Sequence, residues 1–151
     1  MRSIGMAFVL ALAACGQPAP ETPPAATTES VSADAQTEAL LAVVTPVVAT
    51  ELGAPVSLEA GQVRVMDEWA WLVATPRQAN GAPIDWAATT RASAYQNGAM
   101  DESGATYALL KQEAGAWRIV AHVIAPTDVA WESWPTEYGA PRELFELPPA
   151  P

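Results

Sequence analysis

Residues 69–75 constrain the fold of this chain more than any other stretch. Trp69, Trp71, Val73 and Thr75 alternate with Ala70, Leu72 and Ala74. A strict period of two marks an extended strand, since successive side chains point to opposite faces. Asp67-Glu68 precedes it as a tight turn, and Pro76 is expected to end it. Upstream, 56–66 alternates well at Val63 and Val65 around Arg64, giving a first strand. Thr106–Gln112 and Trp117–Ala125 give a third and fourth, joined at Ala114-Gly115. In the fourth, Trp117, Ile119, Ala121 and Val123 are expected to face away from Arg118, Val120, His122 and Ile124.

Ahead of the strands, apolar residues at 40, 41, 44, 47, 48 and 52 have helical spacing over 36–52. Asp34 or Thr37 is a candidate cap, and Gly53 with Pro55 is a stop. Pro46 predicts a kink or a later start. Between strands two and three, Asn80-Gly81 reads as a turn. Asp85 reads as the cap of a short helix from Trp86 to Gln96, stopped by Gly98. Pro126-Thr127-Asp128 reads as a helix start running to Trp134, and Pro141–Leu147 as a last turn. One helix followed by four antiparallel strands predicts the α+β class: an N-terminal helix packed on a curved four-stranded antiparallel sheet, with short C-terminal helices. This domain spans 37–147, about 110 residues, a normal size for a single core.

The segments outside 37–147 have a different chemistry. Met1–Gly16 has a basic start at Arg2, an apolar run from Ile4 to Ala14 and small residues before Cys15, the one cysteine in the chain. The run is too short for a spanning helix, which needs ~20 apolar residues, and has the layout of a secretory signal. Leu12-Ala13-Ala14-Cys15 resembles the lipobox of bacterial lipoprotein precursors. That resemblance implies a signal peptide over 1–14, cleavage before Cys15, a diacylglyceryl thioether on its sulfur and a fatty amide on its new amino group. Several acyl chains give a stable anchor where one gives marginal binding. Gly16 rather than aspartate after the cysteine implies, by the enterobacterial analogy, the periplasmic face of an outer membrane. Ala11-Leu12-Ala13 also fits an ordinary signal-peptidase site, which would release a soluble protein.

Residues 15–36 then form a Pro/Ala/Thr-rich tether. A stretch of that composition buries too little to offset its ordering entropy. Its 18 residues from 16 to 33 reach roughly 25 Å as a coil and about 55 Å as extended polyproline. Pro148–Pro151 reads as a disordered tail.

Cleavage before Cys15 leaves six cations against seventeen carboxylates, a net charge of −11. That sign argues against nucleic-acid binding, which needs clustered Lys and Arg. One histidine and no second cysteine leave no zinc site of the usual type, and no cofactor motif is present. The domain's element order and its final hairpin, Gly115-Ala116-Trp117-Arg118-Ile119-Val120, resemble the cystatin-like and nuclear-transport-factor-like rolls. Pro83-Ile84-Asp85-Trp86, Pro126–Trp131 and Tyr138-Gly139-Ala140-Pro141 also resemble a group of uncharacterised bacterial envelope proteins.

In a meander, strands two and four exit at the same end. Pro83-x-Asp85-Trp86-Ala87 and Pro126-x-Asp128-Val129-Ala130, two copies of one pattern, are therefore expected together, with His122 close by. The candidate ligand-binding residues are Asp85, Trp86, His122, Asp128 and Trp131. Helix-start chemistry gives the two aspartates a capping role instead, and a lone strand histidine reads as a framework residue. Trp69, Trp71 and Trp117 are expected in the core; Trp131 and Trp134 fill a satellite core or stack on a sugar.

Three functions follow. The first is a membrane-anchored, non-catalytic envelope lipoprotein that binds a small ligand or an envelope protein. The second is a small roll-fold enzyme using His122 with Asp85 or Asp128 for proton transfer. The third is a protein-docking inhibitor or assembly factor. A cavity beneath the helix would favour small-ligand binding, and a filled one would favour protein docking.

Overall fold

The computed structural model describes residues 26–145 and 147, with side chains from 33 onward. The signal peptide, Cys15, the tether up to residue 25 and the tail from 148 lie outside the described residues. Helix α1 (Ala26–Leu52) is followed by β1 (Val56–Met66), β2 (Trp69–Gln78), β3 (Thr106–Glu113) and β4 (Ala116–Ile124). The strands form one antiparallel sheet in the order β1-β2-β3-β4, which is the α+β arrangement expected. Short elements decorate it: a 3-10 turn at Trp86–Ala88, α2 (Ala92–Gln96), α3 (Trp134–Tyr138) and a 3-10 turn at Arg142–Phe145.

The helix begins earlier than expected, within the segment read as tether, and runs through Pro46. Pro46 is exposed, so its ring meets solvent. Burial begins only at Leu40. Leu40, Val44, Val48 and Leu52 are completely buried, a spacing of four that lays one stripe on the sheet. Beneath them lie Ala70, Leu72, Ala74, Ala108, Leu110 and Ile124. Small residues on β2 and β3 let the helix approach closely.

The opposite face of the sheet is covered too. Trp69, Trp71 and Leu109 pack there with Trp134, Ala140, Leu144 and Phe145 from the C-terminal segment. Trp71 is the hub. Its ring lies 4.9 Å from Phe145, 5.6 Å from Trp131, 5.7 Å from Tyr107 and 5.8 Å from Trp134, between centroids. Trp69 and Trp71 are thus core residues as expected, but of this second layer. Trp117 packs at the border of the helix-side core.

Two β-bulges reset which side chains face the helix. One lies in β1 between Ala60 and Gln62, where Gly61 is the extra residue. The other places Leu109 opposite Ala121 and Leu110 opposite Ile119, leaving Val120 extra. Before each bulge, Val56, Leu58 and Ala60, or Trp117 and Ile119, face α1; after it, Val63 and Val65 on β1 and Ile124 on β4 do. The uniform alternation expected across 117–124 is therefore broken at Val120. Ala121 and Val123 join the Trp71 layer, and His122, in phase with Ile124, turns towards α1.

Prolines correct two boundaries. Pro76 does not end β2, which continues to Gln78 with Leu58 opposite Pro76. Pairing with β3 stops at Ala74, so beyond it β2 is an edge on that side, where a missing N–H costs no ladder bond. Pro135 does not end a helix but sits in the first turn of α3, the position where proline is tolerated. Residues 126–133 are bends and turns rather than helix. At the β3–β4 turn, Ala114 and Gly115 both have positive φ, 50° and 80°, as the favoured two-residue hairpin requires.

Among the described residues, one buried hydroxyl is unsatisfied. Thr106 is 1% exposed and its Oγ1 has no hydrogen-bond partner. An orphaned buried hydroxyl costs about 1–3 kcal/mol, and an apolar side chain of the same shape removes that cost. Thr106→Val is expected to raise stability by ~1 kcal/mol, read as a higher urea midpoint at unchanged slope.

Candidate functional site

At the end of the sheet where Ala74, Thr106 and Ile124 stand in register, the connection from β2 to β3 folds back over the helix-side layer. Pro83 forms a bridge with Arg77, and Gln78 holds the turn through Ala82 O (2.8 Å) and Pro83 O (2.7 Å). Asp85 then caps the 3-10 turn, its Oδ1 accepting from Ala87 N at 3.2 Å. Trp86 packs against the helix-side core. Its indole lies so close to Gly104 that a Cβ there would stand 2.5 Å from the ring. Gly104 also has a φ of +69°, so two independent constraints require glycine.

This folding leaves two clefts that share Ile84, of about 420 and 430 Å³. Gln78, Asn80, Asp85 and Thr89 line the first, with the Ala54-Pro55 corner after α1. Arg77, Pro83, Trp86, Tyr95, Glu102 and Ser103 line the second. Its one cation is already engaged, with Arg77 Nη2 2.8 Å from Glu59. Beside this cleft, Asp101 accepts the Ser103 N–H at 2.8 Å. Hydrogen bonds from the Ser103 side chain and then its backbone hold the Asp101 carboxyl below the usual range. The carboxylate is the form bonded, so any stability it adds is present above the unfolded-state value and lost as pH falls through the lowered one. Ser103→Ala should move the Asp101 midpoint part of the way back, leaving the backbone share, as carboxyl NMR shifts against pH would show.

His122 lies elsewhere, against the last turn of α1. Its Nε2 is 2.5 Å from Glu51 Oε1, and Arg91 Nη2 lies 3.2 Å from Glu51 Oε2. Thr90 reinforces the joint, its N–H donating to Leu52 O at 3.1 Å and its hydroxyl to Glu51 O. The carboxylate beside His122 is therefore Glu51, where the sequence had suggested Asp85 or Asp128. A carboxylate in a last turn meets the negative end of the helix dipole, and α1 has no basic residue there. His122 and Arg91 bring donors to that end from two other elements. This acidic last turn is the one signal by which Glu51 was findable.

Asp128 and Trp131 belong to the segment that crosses to the opposite face. Asp128 is exposed in a bend and caps no helix. Trp131 stacks on Tyr107 with centroids 3.9 Å apart at 22°, joining the Trp71 layer. The two copies of the proline-aspartate pattern thus leave the same end of the sheet but serve opposite faces. Asp85 and Trp86 line adjacent clefts, His122 lines neither, and Trp131 is separated from all three by the sheet. Burial, and secondarily the Asp101 charge, pushes the Tyr107 phenol up. The fold favours the neutral phenol, so this contribution is complete below about 10 and lost as pH climbs through the raised value. The Tyr138 phenol is pushed up too, chiefly by its hydrogen bond to Glu137, so titration at 295 nm should show two tyrosines ionising late, one of them absent in Tyr107→Phe.

Among the described residues, no three His, Cys, Asp or Glu side chains cluster to hold a metal ion, and no helix is long and apolar enough to cross a membrane. The chain matches no family, no curated protein and no solved structure with which it was compared.

Proposed function

We propose that this chain is a lipid-anchored protein of the bacterial envelope, held by Cys15, whose domain docks another envelope protein without catalysis. The resemblance of Leu12-Ala13-Ala14-Cys15 to a lipobox supports the anchor. The observation that carries the docking reading is the location of free space. Leu40, Val44, Val48 and Leu52 are completely buried against the sheet, so the helix–sheet interface is filled, while both clefts open at the loop end around Ile84. A roll that binds a small molecule under its helix needs the reverse. The 2.5 Å contact of His122 with Glu51 favours a second reading, proton transfer, but a general base must reach substrate and this ring lines neither cleft.

Two measurements test the proposal. Mass spectrometry of the mature N-terminus should find an acylated Cys15, and Cys15→Ser should lose acyl labelling and leave the membrane fraction. A soluble, unlabelled wild type would remove the anchor from the reading. Photo-crosslinkers at Asn80, in the first cleft, and at Glu132, in the segment after β4, test the docking face in cells. A discrete protein adduct from Asn80 alone is expected, and equal adducts from both positions would refute a specific face.

A further inference from the structure

We infer that the two clefts around Ile84 form one groove for an extended, arginine- or lysine-bearing segment of the partner protein. This names the ligand class of the docking site and rests on that reading. Three observations point the same way. Each cleft contributes a carboxylate: Asp85 to the first, Glu102 to the second, with Ile84 lining both. Asp85 spends one oxygen on Ala87 N, which leaves the other for a ligand. No lining residue competes as a cation, because Arg77 is held by Glu59 at 2.8 Å.

The second cleft also places Trp86 and Tyr95 beside Glu102. Tyr95 is 46% exposed, one of few large apolar side chains left in solvent among the described residues. Aromatic faces beside a carboxylate suit a guanidinium or alkylammonium, which the ring quadrupole attracts while the carboxylate accepts its N–H groups. Asp101, next to Glu102 in sequence, adds negative potential at the rim and is held ionised by Ser103. A linear occupant fits because the two clefts share a wall residue rather than forming one round cavity. An extended chain sets alternate side chains on one side, one towards each carboxylate.

The test is titration of the full chain in detergent with an acetylated, amidated Ala-Arg repeat hexapeptide, with the citrulline version of that peptide, and with spermidine. The Arg peptide should bind, about tenfold or more tighter than the citrulline peptide. Glu102→Gln and Asp85→Asn should each weaken it by about fivefold, the size of one exposed charge-assisted contact. Asparagine caps as well as aspartate, so the Asp85 variant keeps its turn. Tyr95→Ala should cost about threefold. Asp128→Asn, off the groove, should change nothing. Equal binding of Arg and citrulline peptides, equal losses at Asp128 and Glu102, or binding of spermidine alone would each overturn the inference. If the Asn80 adduct forms and the Arg peptide does not bind, the ligand class is wrong and the docking face stands. If neither occurs, both fall.

Discussion

Trp71→Ala is expected to cost roughly 3–5 kcal/mol, the range for deleting a buried tryptophan side chain. The residue is 2% exposed and touches four other aromatic rings. Three of those rings, Trp131, Trp134 and Phe145, belong to the segment after β4, which has little regular structure of its own. Removing the hub takes away the surface on which that segment is ordered. For a domain near 110 residues the melting temperature should fall by roughly 12–20 °C. The layered arrangement also predicts how it falls. Hydrogen exchange should rise first in 134–145, while α1 and the strands beneath it keep their protection. Uniform loss of protection across both faces would show that the two layers unfold as one.

Gly104→Ala is the second large effect, and it comes from a single methyl group. The new Cβ would lie 2.5 Å from the Trp86 indole, and φ is +69°. A left-handed alanine costs roughly 1–2 kcal/mol, and overpacking adds about 1–3. A total of ~2–5 kcal/mol is expected. The change should also push Trp86 out of place and alter the second cleft, so Trp86 indole N–H shifts should move in NMR spectra. Ala99→Gly, exposed and on the same connection, is the control that should leave that resonance unmoved. A variant with wild-type stability would contradict the packing of Trp86 on Gly104.

How far the sequence carried these features depended on the range of the physics. Periods of two and 3.6 arise within a few residues, so the α1 stripe from Leu40 to Leu52 and the strong strand at Trp69 were legible. Paired register over a bulge is not local. Nothing in Val120 itself announces that it is the extra residue, yet it decides that His122 faces the helix. Gly61 was more open to reading, as glycine within a strand often marks a bulge. Pro76 misled because its cost depends on whether a third strand lies on its N–H side, a fact of topology. The candidate residues were expected together and lie apart for a related reason. The end of the sheet was correctly inferred from strand direction, but not which face each exiting segment would take. Glu51 and His122 are 71 positions apart, beyond the reach of any short motif.

The bulges at Gly61 and Val120 fall in β1 and β4, the two outer strands of the sheet. Each bulge bends its strand and increases local twist. Exposed ladders on flat outer strands recruit further chains and seed aggregation, and bent ones recruit poorly. A small domain with an open four-stranded sheet faces that hazard whenever two copies meet. By breaking the line of both borders, the bulge that rotates His122 inward and its counterpart at Gly61 also make this sheet a poor template for fibrils.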